Sequence, residues 1–213
     1  MNNQWQIQPD EVFARSKVIP VMVINKLEEA VPLAKALVAG GIGILEVTLR
    51  TECAVEAIRA IREAVPEALV GAGTVLTAEH LDQVIEAGAQ FAISPGATPA
   101  LLKAAQAKSI PLIPGVASVS DAMQALELGY DHLKFFPAEA NGGVKALKSI
   151  LGPLPQLTFC PTGGISLSNY QDYLAIPQVK ACGGSWVAPV DAVTNGDWDR
   201  ITQLSKEALD GVQ

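Results

Sequence analysis

The chain has 213 residues, 49% hydrophobic and 17% charged. That is enough apolar material for a sizeable core, and it excludes a disordered or linker-like chain. A formal net charge of −7 excludes nucleic-acid binding through a broad basic face, but an anionic small molecule, which needs only a few local donors, stays open.

The opening stretch, Met1–Asp10, is polar and has no apolar signal core. No run of about 18 apolar residues follows, so neither secretion nor a membrane span is expected. From Val18 onward, short β-branched runs alternate with longer Ala/Leu/Glu/Lys segments. Strands are expected over Val18–Ile24, Ile44–Leu49, Leu69–Gly73, Phe91–Ser94, Pro111–Val116, His132–Phe136, Leu157–Thr162 and Val179–Gly183. Helices are expected to begin near Leu27, Ala54, Ala78, Pro99, Val119, Val144, Leu167 and Trp198. Strands joined through helices are parallel, and eight such units are what a (β/α)₈ TIM barrel requires. An open doubly wound sheet is the rival. No linker-like stretch divides the chain, so a single domain, 1–213, is expected, with residues 1–17 as an N-terminal arm or helix. Ala39-Gly40 and Ala87-Gly88 read as helix ends with glycine at C′.

Three widely spaced cysteines, Cys53, Cys160 and Cys182, form no CxxC and predict free thiols in a reducing cytosol. The two histidines, His80 and His132, form no HxH or HExxH pattern, so no metal site is expected.

In a barrel the chemistry sits at the C-terminal strand ends. With period-two alternation, Glu46, Thr48 and Arg50 share one face of the second strand, which puts unusual polarity in a packed interior. A structural Glu–Arg pair is the plain alternative. In the sixth strand Lys134 points inward with His132 and Phe136, while Leu133 and Phe135 face the helices. Burial disfavours an ammonium, and a neutral amine can condense with a ketone. The alternative is a structural pairing of Lys134 with Glu46. Lys180, the nearest rival lysine, lies toward the start of its strand. Together, an amine, a carboxylate and an arginine suit Schiff-base chemistry on a 2-keto acid, with arginine forking the substrate carboxylate.

The third strand ends Gly71-Ala72-Gly73-Thr74, an incomplete dinucleotide fingerprint, so no nicotinamide cofactor is expected. Thr74 is either a hydrogen-bond donor to a carboxylate or a helix cap. Ser94-Pro95-Gly96 and Pro114-Gly115 read as tight turns. The glycine pairs in Thr162-Gly163-Gly164 and Gly183-Gly184-Ser185 fall in the two loops where such barrels hold phosphate, and Trp186–Val193 is a candidate for the accompanying short helix.

Six segments carry a resemblance over nearly the whole chain. They are Leu45-Glu46-Val47-Thr48-Leu49-Arg50-Thr51, Val70-Gly71-Ala72-Gly73-Thr74-Val75, Phe91-Ala92-Ile93-Ser94-Pro95-Gly96, Lys134-Phe135-Phe136-Pro137-Ala138-Glu139, Pro161-Thr162-Gly163-Gly164-Ile165 and Gly183-Gly184-Ser185-Trp186. In these the chain resembles the 2-keto-3-deoxy-6-phosphogluconate (KDPG) aldolases, which include bifunctional enzymes that also cleave 4-hydroxy-2-oxoglutarate (KHG). The resemblance implies a class I, metal- and cofactor-independent lyase on a (β/α)₈ barrel. It also implies a cytoplasmic homotrimer serving the Entner-Doudoroff branch of carbohydrate metabolism. Its substrate would be a phosphorylated 2-keto acid, its product pyruvate, with no nucleic-acid or membrane partner.

By the same resemblance, Lys134 matches the Schiff-base lysine and Glu46 the general acid/base. Arg50 and Thr74 match the pyruvyl-carboxylate site, lined by Pro95, and Phe136 matches the aromatic beside the imine. Thr162, Gly163 and Gly164, with Gly184 and Ser185, match the loops holding the distal hydroxyl and phosphate ends. His132 and the N-terminal arm match no functional position. A galactonate-type aldolase acting on the C4 epimer is the rival within the family, with the gluconate substrate favoured by the Thr162 hydroxyl. An isomerase or epimerase barrel and a non-catalytic sensor of phosphorylated sugar acids are the rivals outside it.

Overall fold

Parallel strands alternate with helices along residues 5–211, which the computed structural model describes; the first four residues of the expected arm and the last two of the chain lie outside them. The strands are β1 Val18–Met22, β2 Ile44–Thr48, β3 Leu69–Gly73, β4 Ala92–Ile93, β5 Leu112–Ile113, β6 Gly115–Val116, β7 His132–Phe135, β8 Thr158–Pro161 and β9 Cys182–Gly184. The helices are α1 Pro9–Ala14, α2 Leu27–Ala39, α3 Ala54–Ala64, α4 Ala78–Glu86, α5 Pro99–Gln106, α6 Val119–Glu127, α7 Gly143–Leu151, α8 Tyr170–Leu174, α9 Val190–Asn195 and α10 Trp198–Asp210.

Every strand pairing is parallel. One sheet runs in the order β5-β4-β3-β2-β1-β9 and a second in the order β6-β7-β8. Two features tie them together. β5 and β6 are pieces of one chain pass, interrupted at Pro114. Isolated parallel bridges, Phe159 to Val179 and Thr162 to Gly183, join the β8 and β9 segments.

Several expected boundaries move for identifiable reasons. The Pro111–Val116 run splits because Pro114 has no N–H to give the ladder, although its carbonyl still accepts from Lys134 N–H at 2.9 Å. The Phe91–Ser94 run keeps only two ladder residues, and the last strand lies at Cys182–Gly184, with Val179 retained as a bridge. The helix expected from Leu167 starts at Tyr170, because Ser166–Asn169 forms a turn closed by Ser166 N–H on Asn169 Oδ1 at 2.8 Å. At Ala39-Gly40 the left-handed residue is the next one, Gly41, at φ +96°, whereas Gly88 takes it as expected, at φ +88°.

Strands β1, β2 and β3 are buried along their whole length, as two-sided coverage requires. On α3 the buried residues are Ala54, Ala57, Ile58 and Ile61, a stripe at helical spacing turned to the sheet. Phe91, Phe135 and Phe159 are among the largest fully buried side chains, and each contributes roughly 1.5–3 kcal/mol by leaving water.

The N-terminal strand ends are covered by α1. Phe13 packs on the His132 ring with centroids 5.6 Å apart. Asp10 and Asp131 each accept from His132, at 2.8 and 2.7 Å, when the ring carries both protons. Arg15 donates to the carbonyls of Gly43, at 3.3 Å, and Glu67, at 2.6 Å, just ahead of β2 and β3. His132 therefore belongs to this floor, and Lys180 joins it, lying beside Asp10 and Phe13 and donating to Pro177 O at 2.9 Å.

Candidate active site

Lys134 on β7 and Glu46 on β2 come from different sheets and meet between them. Lys134 Nζ lies 3.4 Å from Glu46 Oε1, with the residues 4% and 1% exposed. Gly73, next to Glu46 on β3, has no side chain, and a Cβ there would occupy the place of the Glu46 carboxylate. The lysine nitrogen also sits over the Phe136 ring, 5.1 Å from its centroid, where the negative ring face favours a cation.

Cys160 is the register partner of Lys134 on β8. Burial pushes its thiol up to about 12, against a partial downward pull from Lys134. A thiol held protonated in this way is not a thiolate nucleophile at neutral pH. Sequence alternation points Cys160 inward, but nothing in its surroundings in the sequence reveals Lys134 as its neighbour.

β2 ends at Thr48 rather than Leu49, and Arg50 lies in the turn beyond, where its N–H bonds back to Thr48 O at 2.8 Å. The expected column is therefore bent at its top. Thr48 donates to Met22 O at 2.8 Å and Thr51 to Ile24 O at 2.6 Å, which staples this turn to the end of β1. Arg50 Nε donates to Thr74 Oγ1 at 3.3 Å. Among the described residues Arg50 has no carboxylate partner, so a structural Glu46–Arg50 pair does not form. Thr74 is not the cap of α4; Thr77 is, accepting from His80 N–H at 3.2 Å. Thr74 instead takes φ +58°, a left-handed conformation that costs a β-branched residue on the order of 1–3 kcal/mol and recurs at functional sites.

A cavity of about 410 Å³ opens beside this cluster, walled by Arg50, Phe136, Thr162, Gly163, Gly164, Gly184 and Ser185 together with Val21, Val23, Ile165 and Val190. Seven of the expected site residues thus share one wall. Lys134, Glu46, Thr74 and Pro95 are not part of it; Phe136 connects Lys134 to the cavity and Arg50 connects Thr74 to it. Pro95 reaches the lysine indirectly, its carbonyl pressed on the bare Cα of Gly115, the register partner of Lys134. Period-two alternation after Val18 could have pointed to Val21 and Val23 as wall residues.

The glycine pairs have specific tasks. Gly163 and Gly164 take φ +99° and +77°, a turn that side chains resist. A Cβ on Gly183 would collide with the Thr162 hydroxyl, and one on Gly184 with the Trp186 ring. The short helix expected within Trp186–Val193 is α9, which starts only at Val190. Among the described residues, no group of three or more His, Cys, Asp or Glu side chains could hold a metal ion, and no helix is long and apolar enough to cross a membrane.

Comparison with known proteins bears directly on this geometry. The KHG/KDPG aldolase of Escherichia coli K12 is 60% identical over 209 residues, covering 98% of each chain. A structure of the Legionella pneumophila KDPG aldolase, with pyruvate captured at low pH as a covalent carbinolamine intermediate, superposes with a TM-score of 0.95 at 54% identity, covering 96% of this chain and all of that one. The Zymomonas mobilis 2-keto-3-deoxy-6-phosphogluconate aldolase with 3-phosphoglycerate gives 0.90 at 50% identity, covering 95% of each. The family model for KDPG and KHG aldolases matches residues 10–204. The chain belongs to the KDPG and KHG aldolase family.

Proposed function

We infer that this chain is a class I aldolase that cleaves 2-keto-3-deoxy-6-phosphogluconate to pyruvate and D-glyceraldehyde 3-phosphate. Its second substrate is 4-hydroxy-2-oxoglutarate, cleaved to pyruvate and glyoxylate, a reading supported by the double name of the Escherichia coli relative. The observation that carries the inference is the buried Lys134 amine 3.4 Å from the Glu46 carboxylate beside a cavity walled by glycine loops.

The substrate carboxylate is held by the Arg50 fork, buttressed by Thr74 and lined by Pro95. The phosphate lies against the backbone of Gly163, Gly164, Gly184 and Ser185. Lys134 passes a proton to Glu46 and attacks the C2 ketone as the free amine. Glu46 returns a proton to the carbinolamine hydroxyl, which leaves as water. The iminium so formed keeps its positive charge over the Phe136 face. Glu46, again a carboxylate, removes the C4 hydroxyl proton. The C3–C4 electron pair flows into the iminium, and glyceraldehyde 3-phosphate departs. The resulting enamine takes a proton from Glu46 at C3, and water releases pyruvate and the amine. Because the imine itself is the electron sink, the cycle uses no metal or cofactor.

Thr162, a hydroxyl in the cavity wall, and the phosphogluconate names of the relatives favour the gluconate epimer over the galactonate one. The facing sheets, the broken β5–β6 pass and the β8–β9 bridges support one domain built as a closed eight-stranded barrel with α1 beneath it. A cytoplasmic homotrimer serving the Entner-Doudoroff branch rests on the family resemblance, and sedimentation at three chain masses tests the trimer.

Borohydride added with pyruvate tests the chemistry. One adduct, mapped to Lys134 by peptide mass, is expected, with activity lost in proportion. An unmodified protein, or full activity in Lys134→Ala, overturns the reading.

A further inference from the structure

Tyr173 on α8 is fully buried, and its hydroxyl donates to Glu139 Oε1. Glu139 stands three residues beyond Phe136, in the loop that leaves β7, so the bond ties the exit of the lysine strand to the helix that follows the Gly163-Gly164 turn. Around it the two loops are fitted closely. Ala138 N–H donates to Thr162 O at 2.8 Å and Glu139 N–H to Gly163 O at 3.0 Å. A Cβ on Gly164 would run into Glu139 Cβ at 2.6 Å and Cγ at 2.7 Å, and one on Gly163 would press on Pro137 Cα at 3.1 Å. On its other side the turn is held by Asn169, whose Nδ2 donates to Gly164 O at 3.0 Å.

Both glycines are left-handed, so the turn has no side chains of its own to fix it. Its N–H directions depend on what it leans against, and the Glu139 side chain, packed on Gly164, is the part of that support fixed by Tyr173. Burial pushes the Tyr173 hydroxyl well above its ordinary value, with the Glu139 carboxylate adding to the shift, so it remains a donor throughout the working pH range. Glu139 also lies near the start of α7, where its Oε1 would be 3.1 Å from a Cβ on Gly143 and where the helix dipole favours negative charge.

We propose that Tyr173 and Glu139 are positioning residues that hold the Gly163-Gly164 turn in its phosphate-binding shape and so set the preference for phosphorylated over unphosphorylated substrate. Neither residue lines the cavity. They act through the turn and leave the pyruvyl end alone. The proposal rests on the aldolase reading above.

The test measures kcat/KM of wild type, Tyr173→Phe, Glu139→Ala and Glu139→Gln on 2-keto-3-deoxy-6-phosphogluconate and on its unphosphorylated counterpart. The pyruvate concentration that half-saturates borohydride trapping and the melting temperature are measured alongside. Tyr173→Phe and Glu139→Ala are expected to lose about tenfold on the phosphorylated substrate, chiefly in KM, as for one hydrogen bond to a charged group. The unphosphorylated substrate and pyruvate trapping should stay within about twofold. Glu139→Gln keeps an acceptor and should recover part of the loss. Equal losses on both substrates, or no loss on either, overturn the positioning role. A wild type that forms no pyruvate adduct overturns the aldolase reading instead, and the proposal with it.

Discussion

The two ends of the same parallel strands are built on opposite rules. At the floor, polar groups satisfy one another: His132 lies between Asp10 and Asp131, and Arg15 covers the carbonyls of Gly43 and Glu67. At the mouth, polar groups keep unused capacity. Arg50 gives its Nε to Thr74 and has no carboxylate partner among the described residues, Thr74 is held at a positive φ, and the wall is bare glycine backbone. Satisfied groups stabilise and unsatisfied groups bind, so stability and activity should separate along the strand axis.

The sharpest way to break that contrast is Glu46→Gln. It keeps the shape of the side chain and removes the acid/base function proposed for it. A fall in kcat of about 10²- to 10⁴-fold is expected, with initial-rate kinetics as the measurement, and a variant within threefold of wild type would mean that another group moves the protons. Next comes Arg50→Lys, which loses the fork while keeping the charge. A rise in KM of about 10- to 100-fold at nearly constant kcat is expected, with the melting temperature unmoved because Arg50 is exposed. If kcat collapses at unchanged KM, Arg50 acts in the transition state rather than in binding.

Arg15→Ala asks the converse question at the floor. Loss of two donations to carbonyls costs about 1–2 kcal/mol, or roughly 3–6 °C by calorimetry for a chain of this size, with kcat unchanged. A turnover defect without a thermal one would erase the proposed division. The smallest effect is set by pH. Burial raises the Cys160 thiol from 9.0 to about 12, and it also raises Cys182, Tyr130 and Tyr173. The fold prefers the neutral form of each, so their contribution is complete below about pH 9 and is lost as pH climbs toward 12. Thermal scans should decline across that window, and a melting temperature that holds to pH 11 contradicts the sign.

Much of this arrangement is legible in the sequence. Lys134 between aromatics, Glu46 as the one charged residue of an otherwise uncharged strand and the two glycine pairs are local patterns, and each falls at or beside the site. Other parts are not. Pro114 announces a break, but only the ladder shows that β5 and β6 pair in different sheets. The floor joins Asp10 to His132 across 122 positions, and Tyr173 meets Glu139 across 34, contacts that no short-range pattern encodes. Thr74 is ambiguous for another reason: a threonine ahead of a helix reads as a cap, and only the backbone conformation reveals that Thr77 has taken that part. Arg50 looks like a strand residue because alternation does not register a turn that begins one residue early.

The bare Cα of Gly73 also bears on how such an enzyme can be re-engineered. The carboxylate of Glu46 fills the volume that any larger neighbour would need, so the reacting corner has no slack for diversification. On the far wall Val190 is apolar and exposed, away from the left-handed glycine turn, and has room for exchange. Libraries aimed at new aldehyde acceptors belong there, with the strand that carries the acid and its glycine neighbour left untouched.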